Sequence, residues 1–567
     1  MNIPLLNREV SSIHAAALIL GSAAFLSKLL GLLRDRLLAA RFGAGDVLDV
    51  YYAAFQIPDL LFTIFLIGAA SAAVLPVFLA YDRKSPDGAQ AFIGNLLTVV
   101  SLAAALVVIA SILAAPRLVA MVAPGFDAAK LALTVHLTRL MALNALFLSM
   151  AGILSSVLQA RHRFFVFALP PVAYNLGIIG GILFLVPWLG VSGLAYGVLV
   201  GGLLQILVTI PALAAMGFRI RPAFDLGEPG LRRVVRSALP RVLAISMSQL
   251  TLVVLAAIAS FFAAGSISTF KLASNLLYVP VGLFGVSYAL AIFPKLSGAT
   301  IDGRGEFFRE QVGVGIRQIL FWALPFVVLF IVLRAHLVRV VLGSGTFDWA
   351  DTRLVAALLA ILSIAIISES LVPLVLRAFY ALGRSREPLL WDIAGSVITI
   401  LLAIGFTTWF GAEPRVLATM ARILRIGDLA SPKILGVGAA FSLGSLLNAL
   451  LLFLALRRSI RERLRVSLRF DAAAASTFLG AAVLGGIAAH ITLLPFPALV
   501  PTNTFLGIFI QGFVAGVAGL GVYALVLIWQ KNPEILGLAE SFRTHLISLR
   551  KMPHLYEAEK LDGESLK

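Results

Sequence analysis

Ionisable and amide side chains stand in stretches of this chain where water should be absent. Lys28, Arg34 and Asp35 lie within an apolar run over 14–40, and Asp49 opens the next. Lys271 and Asn275 lie in a run over 266–298, His136 and Arg139 in the fourth run, Glu369 deep in the tenth and Asp392 near one end of the eleventh. A charge in hydrocarbon costs at least roughly 2.5–3.5 kcal/mol, so each of these groups should face a cavity or a partner. Lys28 sits about 21 Å along its helix at 1.5 Å per residue, too deep to reach water easily. Lys28 and Asp35 are seven apart and share a helix face, as do Lys271 and Asn275, four apart. The chemistry this allows is capture of an anion inside a membrane. For Lys28 the alternative is a structural pair with Asp35 or Asp49, and for Lys271 it is snorkelling to the outer surface. His136 and Arg139 read equally well as a structural pair. Glu369 either couples an ion or proton or satisfies a serine or arginine. Asp392 reads as interfacial, with coordination as the second reading.

The elements that must position these groups follow from composition. The chain has 567 residues, 60% hydrophobic and 13% charged, with no cysteine. Its mean hydropathy is +1.00. Soluble domains carry about 25% charge, so soluble and disordered classes are excluded. The apolar runs are unbroken rather than alternating, which excludes a β-barrel. Without cysteine there is no disulfide framework or thiolate metal site. An all-α polytopic membrane protein remains. At about 20 residues per crossing, 14 runs are long enough. They lie near 14–40, 47–80, 91–115, 127–160, 165–188, 191–216, 234–263, 266–298, 312–342, 352–382, 387–411, 434–456, 473–495 and 504–529. The first is no cleavable signal peptide, being too long and charged. With both termini in the cytoplasm, 29 Lys and Arg fall inside, 10 outside and six within runs. This bias supports that orientation and accounts for the net charge of +17 without nucleic acid.

A repeat of about 220 residues organises the runs. Phe42-Gly-Ala-Gly45 ends the first and Phe262-Ala-Ala-Gly265 the seventh; Gln159-Ala-Arg-His-Arg163 follows the fourth and Tyr380-Ala-Leu-Gly-Arg384 the tenth. Two six-helix lobes in parallel orientation follow, as in transporters that rock two halves about a central site. The expected organisation is an N-lobe over 1–216, a cytoplasmic linker over 217–233 and a C-lobe over 234–456. A basic loop over 457–472 should meet anionic lipid, two extra spans occupy 473–529, and a cytoplasmic tail, frayed or disordered, covers 530–567. Segment 412–433 is expected to form an interfacial amphipathic helix. Gly31, Pro58 and Pro280 are candidate hinges, since proline removes a backbone hydrogen bond and kinks a helix. No P-loop, HExxH or Gly-x-Ser-x-Gly elbow is present, so no cofactor or enzyme chemistry is expected. Transport would draw on a Na+ or H+ gradient, the membrane potential or the substrate's own gradient.

Four stretches in order resemble the MurJ (MviN) lipid II flippase family of the multidrug/oligosaccharidyl-lipid/polysaccharide exporter superfamily. They are Ser27-Lys-Leu-Leu-Gly-Leu-Leu-Arg-Asp35 with Phe42-Gly-Ala-Gly45, Asp49, Phe55 and Pro58; residues 158–179; Val200-Gly-Gly-Leu-Leu-Gln205; and Leu231-Arg-Arg-Val-Val235 leading to Ser246-Met-Ser-Gln249. The resemblance implies a multi-pass protein of the bacterial inner membrane. It would move undecaprenyl-pyrophosphate-linked muropeptide to the outer leaflet through a cationic cavity between the lobes. Spans 13 and 14 would form a groove for the lipid tail. Its implied partners are lipid II, membrane lipids and cell-wall synthesis proteins. By this resemblance Lys28, Arg34, Asp35, Asp49 and the position of Asn275 bind substrate and Asp392 serves ion coupling; Lys271 joins the substrate-binding set, and Glu369 the coupling set, from their places in the apolar runs.

The sequence departs from the family pattern at three places. Phe62, Thr63 and Leu66 stand where the family commonly has a basic pair and an acid. Asn275 and Ser274 stand where it has an arginine and an acid, and Lys271, one turn earlier, replaces one cation. The seventh run holds no carboxylate for the sodium site of some members. The thinned cation set leaves two alternatives: an exporter of another lipid-linked oligosaccharide or an amphipathic drug by ion antiport, and a non-transporting scaffold of cell-wall assembly.

Overall fold

The computed structural model describes residues 13–64, 74–384, 386–429, 432–496, 504–538 and 540. Leu66 and, of the tail over 530–567, residues 539 and 541–567 lie outside them. The described residues form helices and no strands. A first group comprises α1 (Ile13–Phe42), α2 (Asp46–Phe62), α3 (Val74–Asp82), α4 (Pro86–Val122), α5 (Ala128–Ala142), α6 (Asn144–Ala160), α7 (Phe164–Ala168), α8 (Pro170–Gly180), α9 (Val186–Leu189) and α10 (Ser192–Ala215). A second comprises α11 (Pro229–Ala259), α12 (Ser266–Pro280), α13 (Ser287–Ile301), α14 (Gly305–Val332), α15 (Arg334–Leu342), α16 (Trp349–Leu362), α17 (Ala365–Ala381), α18 (Glu387–Ala412), α19 (Pro414–Ile423) and α20 (Ile434–Leu464). Then come α21 (Ala472–Leu493) and α22 (Phe505–Trp529), which pack on each other and on α14 and α15.

Ten of these helical stretches are long and apolar enough to cross a membrane, and an eleventh is counted when α16 and α17, bent by 48° at their junction, form one span. The 14 expected runs therefore do not all pass this test. Those of α1, α2 and α11 are not among the stretches that pass; α2 is followed by residues outside those described, and within α11 the described apolar stretch is Ser246–Ala259.

The apolar core is shared at one end and divided at the other. One buried cluster takes Leu38 and Tyr51 from the first group and Ile267, Leu272 and Phe347 from the second. Toward the opposite end it gives way to separate clusters, one around Phe78, Phe92 and Leu154 and one around Phe308, Phe379 and Phe478. Burial thus welds the groups near the turns 43–45, 260–265 and 343–348, while at the other end Leu231, Val234 and Ala238 of α11 join the first group's cluster.

α19 is the amphipathic helix expected within segment 412–433, and it turns part of its apolar face to the protein. Its apolar stripe, Leu417 and Ala421, is buried against the protein core. The following loop is pinned by Arg353, whose guanidinium grips Asp428 at 3.0 and 2.5 Å. That grip holds the Asp428 carboxyl below its ordinary range.

Candidate functional site

α1, α2, α8 and α12 converge where the two groups meet. A cavity of about 220 Å³ is lined by Lys28, Arg34, Asp35, Asn175, Asn275 and Tyr278, among others. A second, of about 180 Å³, is lined by Arg34, Tyr51, Tyr52, Asp59, Tyr174, Lys271 and Asn275. The two share Arg34 and Asn275. Lys271, Asn275, Tyr278 and Gly282 recur at helical spacing, so one stripe of α12 and its continuation faces α1.

Asp35 is the joint of the site. It is 3% exposed. Its Oδ1 accepts from Arg34 Nε at 3.0 Å and Nη2 at 2.8 Å, and its Oδ2 from Asn275 Nδ2 at 2.8 Å. Arg34 Nη1 also donates to Asn175 Oδ1 at 3.3 Å. Asn175 Nδ2 in turn donates to Ser27 O and Oγ, both at 3.3 Å, and to Pro171 O at 3.0 Å. A charge-assisted clamp therefore ties α1 to α8 and α12. Asn275 serves as a neutral donor where an arginine would bring a second charge.

Lys28 makes no hydrogen bond or ion pair among the described residues. The structural pairs weighed for it are not formed, because Asp35 is taken by Arg34 and Asn275. Its ammonium hangs over Gly282, 3.8 Å from where a Cβ would stand. Lys271 does not snorkel: it lines the inner cavity opposite Asp59. Asp59 was missed from the sequence, although the rule that singles out Lys28 applies equally to a carboxylate beside Pro58.

Asp49 lies elsewhere. It is 3% exposed and lines neither cavity. Its Oδ2 accepts from Gly265 N at 2.8 Å and its Oδ1 from Ser268 N at 2.7 Å, so it caps α12 across the group boundary. Beside it, Ala44 N donates to Asp351 Oδ2 at 3.1 Å, Thr346 N to Ala40 O at 2.9 Å, and Arg36 Nη1 to Val340 O at 2.6 Å. Asp49 belongs to a seal between the groups, not to the cationic pocket.

Glu369 and Asp392 share a third cavity of about 180 Å³, with Ser248, Thr251, Tyr278, Thr399 and Asn448 on its wall. Tyr278 OH donates to Glu369 Oε2 at 3.1 Å and Asn448 Nδ2 to Asp392 Oδ1 at 3.2 Å. Asp392 is buried, at 5% exposed, near the start of α18. Tyr278 also lines the Lys28 cavity, so one residue touches both chambers.

His136 and Arg139 do not pair: the first meets Ser192 Oγ at 3.1 Å and the second donates to Ile112 O at 3.2 Å. Of the hinge candidates, Gly31 lies within an unbroken α1, its nearest contact to a Cβ being Asn175 Oδ1 at 3.9 Å. Pro58 lies within α2. Pro280 ends α12 and is followed by a π-helical stretch, Val281–Val286, a local change of register.

Apolar helices gathered in two groups around a cation-bearing pocket define a polytopic membrane transport protein. Its fold is similar to a lipid II flippase MurJ in an inward closed conformation (TM-score 0.71, 22% identity, covering 91% of this chain and 99% of that one). It is also similar to an inward-facing multidrug resistance MATE family transporter of the MOP superfamily (TM-score 0.62, 14% identity, 80% and 99%). In sequence, the lipid II flippase MurJ family matches residues 38–510. The chain is 30% identical over 456 residues to the lipid II flippase MurJ of Burkholderia cenocepacia, covering 79% of this chain and 84% of the relative. It is 32% identical over 397 residues to the probable lipid II flippase MurJ of Thermotoga maritima, covering 70% and 80%. The chain belongs to the lipid II flippase MurJ family.

Proposed function

We propose that this protein carries lipid II from the inner to the outer leaflet of the bacterial cytoplasmic membrane by alternating access, without ATP hydrolysis. The observation that carries the reading is the convergence of Lys28, Arg34 and Lys271, drawn from both helix groups, on adjoining cavities. A pyrophosphate offers the charge and acceptor oxygens that such cations recognise. Lys271 shares a cavity with Asn275, so the cation missing at Asn275 is supplied one turn away. This weakens the case for a differently charged cargo, and a scaffold has no use for an unpaired Lys28.

In this reading the two groups are the lobes 1–216 and 234–456, joined by linker 217–233. All 14 runs cross the membrane, and both termini and the 457–472 loop are cytoplasmic. The seal at Asp49 and Gly265 then faces outward, and the two separate core clusters around Phe78 and Phe308 face the cytoplasm. Spans 13 and 14, over 473–529, hold the polyprenyl tail against apolar surface while the headgroup enters the pocket. Rescue of a bacterium depleted of its own flippase, together with a leaflet-accessibility assay of labelled lipid II, tests this. Growth with lipid II reaching the outer leaflet is expected; properly inserted protein that fails both measurements rejects it.

Glu369 and Asp392 are the coupling groups of this reading. Among the described residues, the wall of their cavity carries no basic side chain. Two carboxylates at such depth call for protons or a small cation, which a Na+ or H+ gradient or the membrane potential would deliver. Positive charge arriving there strengthens the pull of the neighbouring pocket on a pyrophosphate, and Tyr278 is the contact between them. Glu369→Gln is therefore expected to flatten the response of lipid II transport in proteoliposomes to imposed proton and Na+ gradients. A gradient response equal to that of the unmodified protein would remove Glu369 from coupling.

A further inference from the structure

The largest cavity described, about 500 Å³, lies far from this pocket, where α14, α21 and the segment before α21 meet. Its wall on α14 runs Arg309, Gly313, Ile316, Arg317 and Leu320, one helical stripe. Leu320 lies about 16 Å deeper than Arg309 at 1.5 Å per residue. Across from it stand Leu468, Arg469, Phe470 and Asp471, then Ala475 and the buried Phe478 of α21. The mouth is charged and the floor apolar, and the mouth sits at the start of two apolar helices. That profile matches a molecule with an ionic head and a hydrocarbon body, lying in one leaflet.

Charge narrows the class. Arg309 is paired with Glu306 at 2.7 Å and Arg317 with Glu534 at 3.0 Å. Arg469 has no ion pair among the described residues. Facing it are Glu310, also without an ion pair among the described residues, and Asp471, which accepts only from Ala474 N, at 3.0 Å. One open cation stands beside two open carboxylates. An anionic headgroup would be attracted by the first and repelled by the other two. A headgroup joining a phosphate to a primary ammonium satisfies both kinds, with the ammonium N–H groups donating to carboxylate oxygens. We infer that this cavity is a binding site for a zwitterionic aminophospholipid of the phosphoethanolamine type. Its phosphate meets Arg469, its ammonium meets Glu310 and Asp471, and its glycerol and upper acyl carbons rest on Ile316, Leu320 and Ala475. Gly313 keeps the entrance open: a Cβ there would meet only Arg317 Nη1, at 3.9 Å.

The test is native mass spectrometry of the full chain titrated with phosphatidylethanolamine, phosphatidylcholine and phosphatidylglycerol of matched acyl chains. One tightly retained phosphatidylethanolamine is expected, favoured at least about fivefold over the other two. Glu310 and Arg469 are both exposed, so Glu310→Gln and Arg469→Gln leave folding intact. Glu310→Gln should erase the preference over phosphatidylcholine. Arg469→Gln should weaken all three lipids about equally. Soluble phosphoethanolamine should compete at least a hundredfold less well than the lipid. Equal or better retention of phosphatidylglycerol, variants that bind like the parent, or effective competition by the soluble headgroup would each overturn the assignment. Because lipid retention is read without transport, the result is independent of the flippase reading.

Discussion

Lys28→Ala is expected to abolish rescue of a flippase-depleted bacterium while leaving the protein inserted and folded. Both halves of this outcome follow from the isolation of Lys28. No described partner depends on its ammonium, so its removal strands no buried charge, and the stability change should stay within about 0.5 kcal/mol. A hydrogen bond to a charged group contributes about 1.5–3 kcal/mol, so losing its contact to a phosphate oxygen weakens capture by roughly ten- to a hundredfold. Lys28→Arg keeps the charge and has the open face of Gly282 to fill, so it should retain growth. Arg34→Ala is the instructive contrast. It takes two donors from Asp35, leaving a buried carboxylate held only by Asn275. That variant should lose protein level as well as transport, because breaking a buried pair costs about 3–5 kcal/mol. Immunoblots of membrane fractions beside growth curves separate the two cases. Wild-type growth with Lys28→Ala at normal abundance would remove Lys28 from the site.

Much of the pocket is legible in the sequence because hydrocarbon makes charge conspicuous. Lys28, Arg34, Asp35 and Lys271 can be picked out as charges within apolar runs, Asn275 by its spacing from Lys271, and all five line the two adjoining cavities. Their partners cannot be read the same way. Asp35 is bound by Asn275, 240 positions away, and helix periodicity reports which face a residue occupies but not which helix it meets. Asp49 is grouped with the pocket by the family resemblance, yet its ligands are backbone N–H groups, which no side-chain pattern reveals. The amphipathic stripe of α19 fits lipid or protein equally, and only its packing partner distinguishes them. Tyr278 carries no charge and so attracts no notice, although it touches both chambers.

The same blindness to backbone applies to the repeated glycines, and it sets up the second large effect. Gly45 and Gly265 close the two copies of the repeated motif and look equivalent in sequence. Gly45 has φ −135° and a Cβ would meet nothing nearer than Phe42 O at 3.8 Å. Gly265 has φ +88°, and a Cβ there would stand 1.9 Å from Ala44 O, the carbonyl just before Gly45. The copies touch at this point, and only one of the two glycines has room for a methyl group. Gly265→Ala therefore adds a left-handed penalty of about 1–2 kcal/mol to a clash between main chains. Relieving that clash pulls Gly265 N away from Asp49, so the total should reach about 3 kcal/mol or more against the sealed state. The chain has no cysteine, so Val279→Cys, which lines the Lys28 cavity, gives a single labelling site. In intact cells this cysteine should be protected from a membrane-impermeant maleimide behind the seal. Adding Gly265→Ala should raise its labelling severalfold and reduce lipid II transport, whereas adding Gly45→Ala should change neither. Equal labelling of the two glycine variants at matched abundance would mean that the contact at Ala44 does not hold the outer side shut.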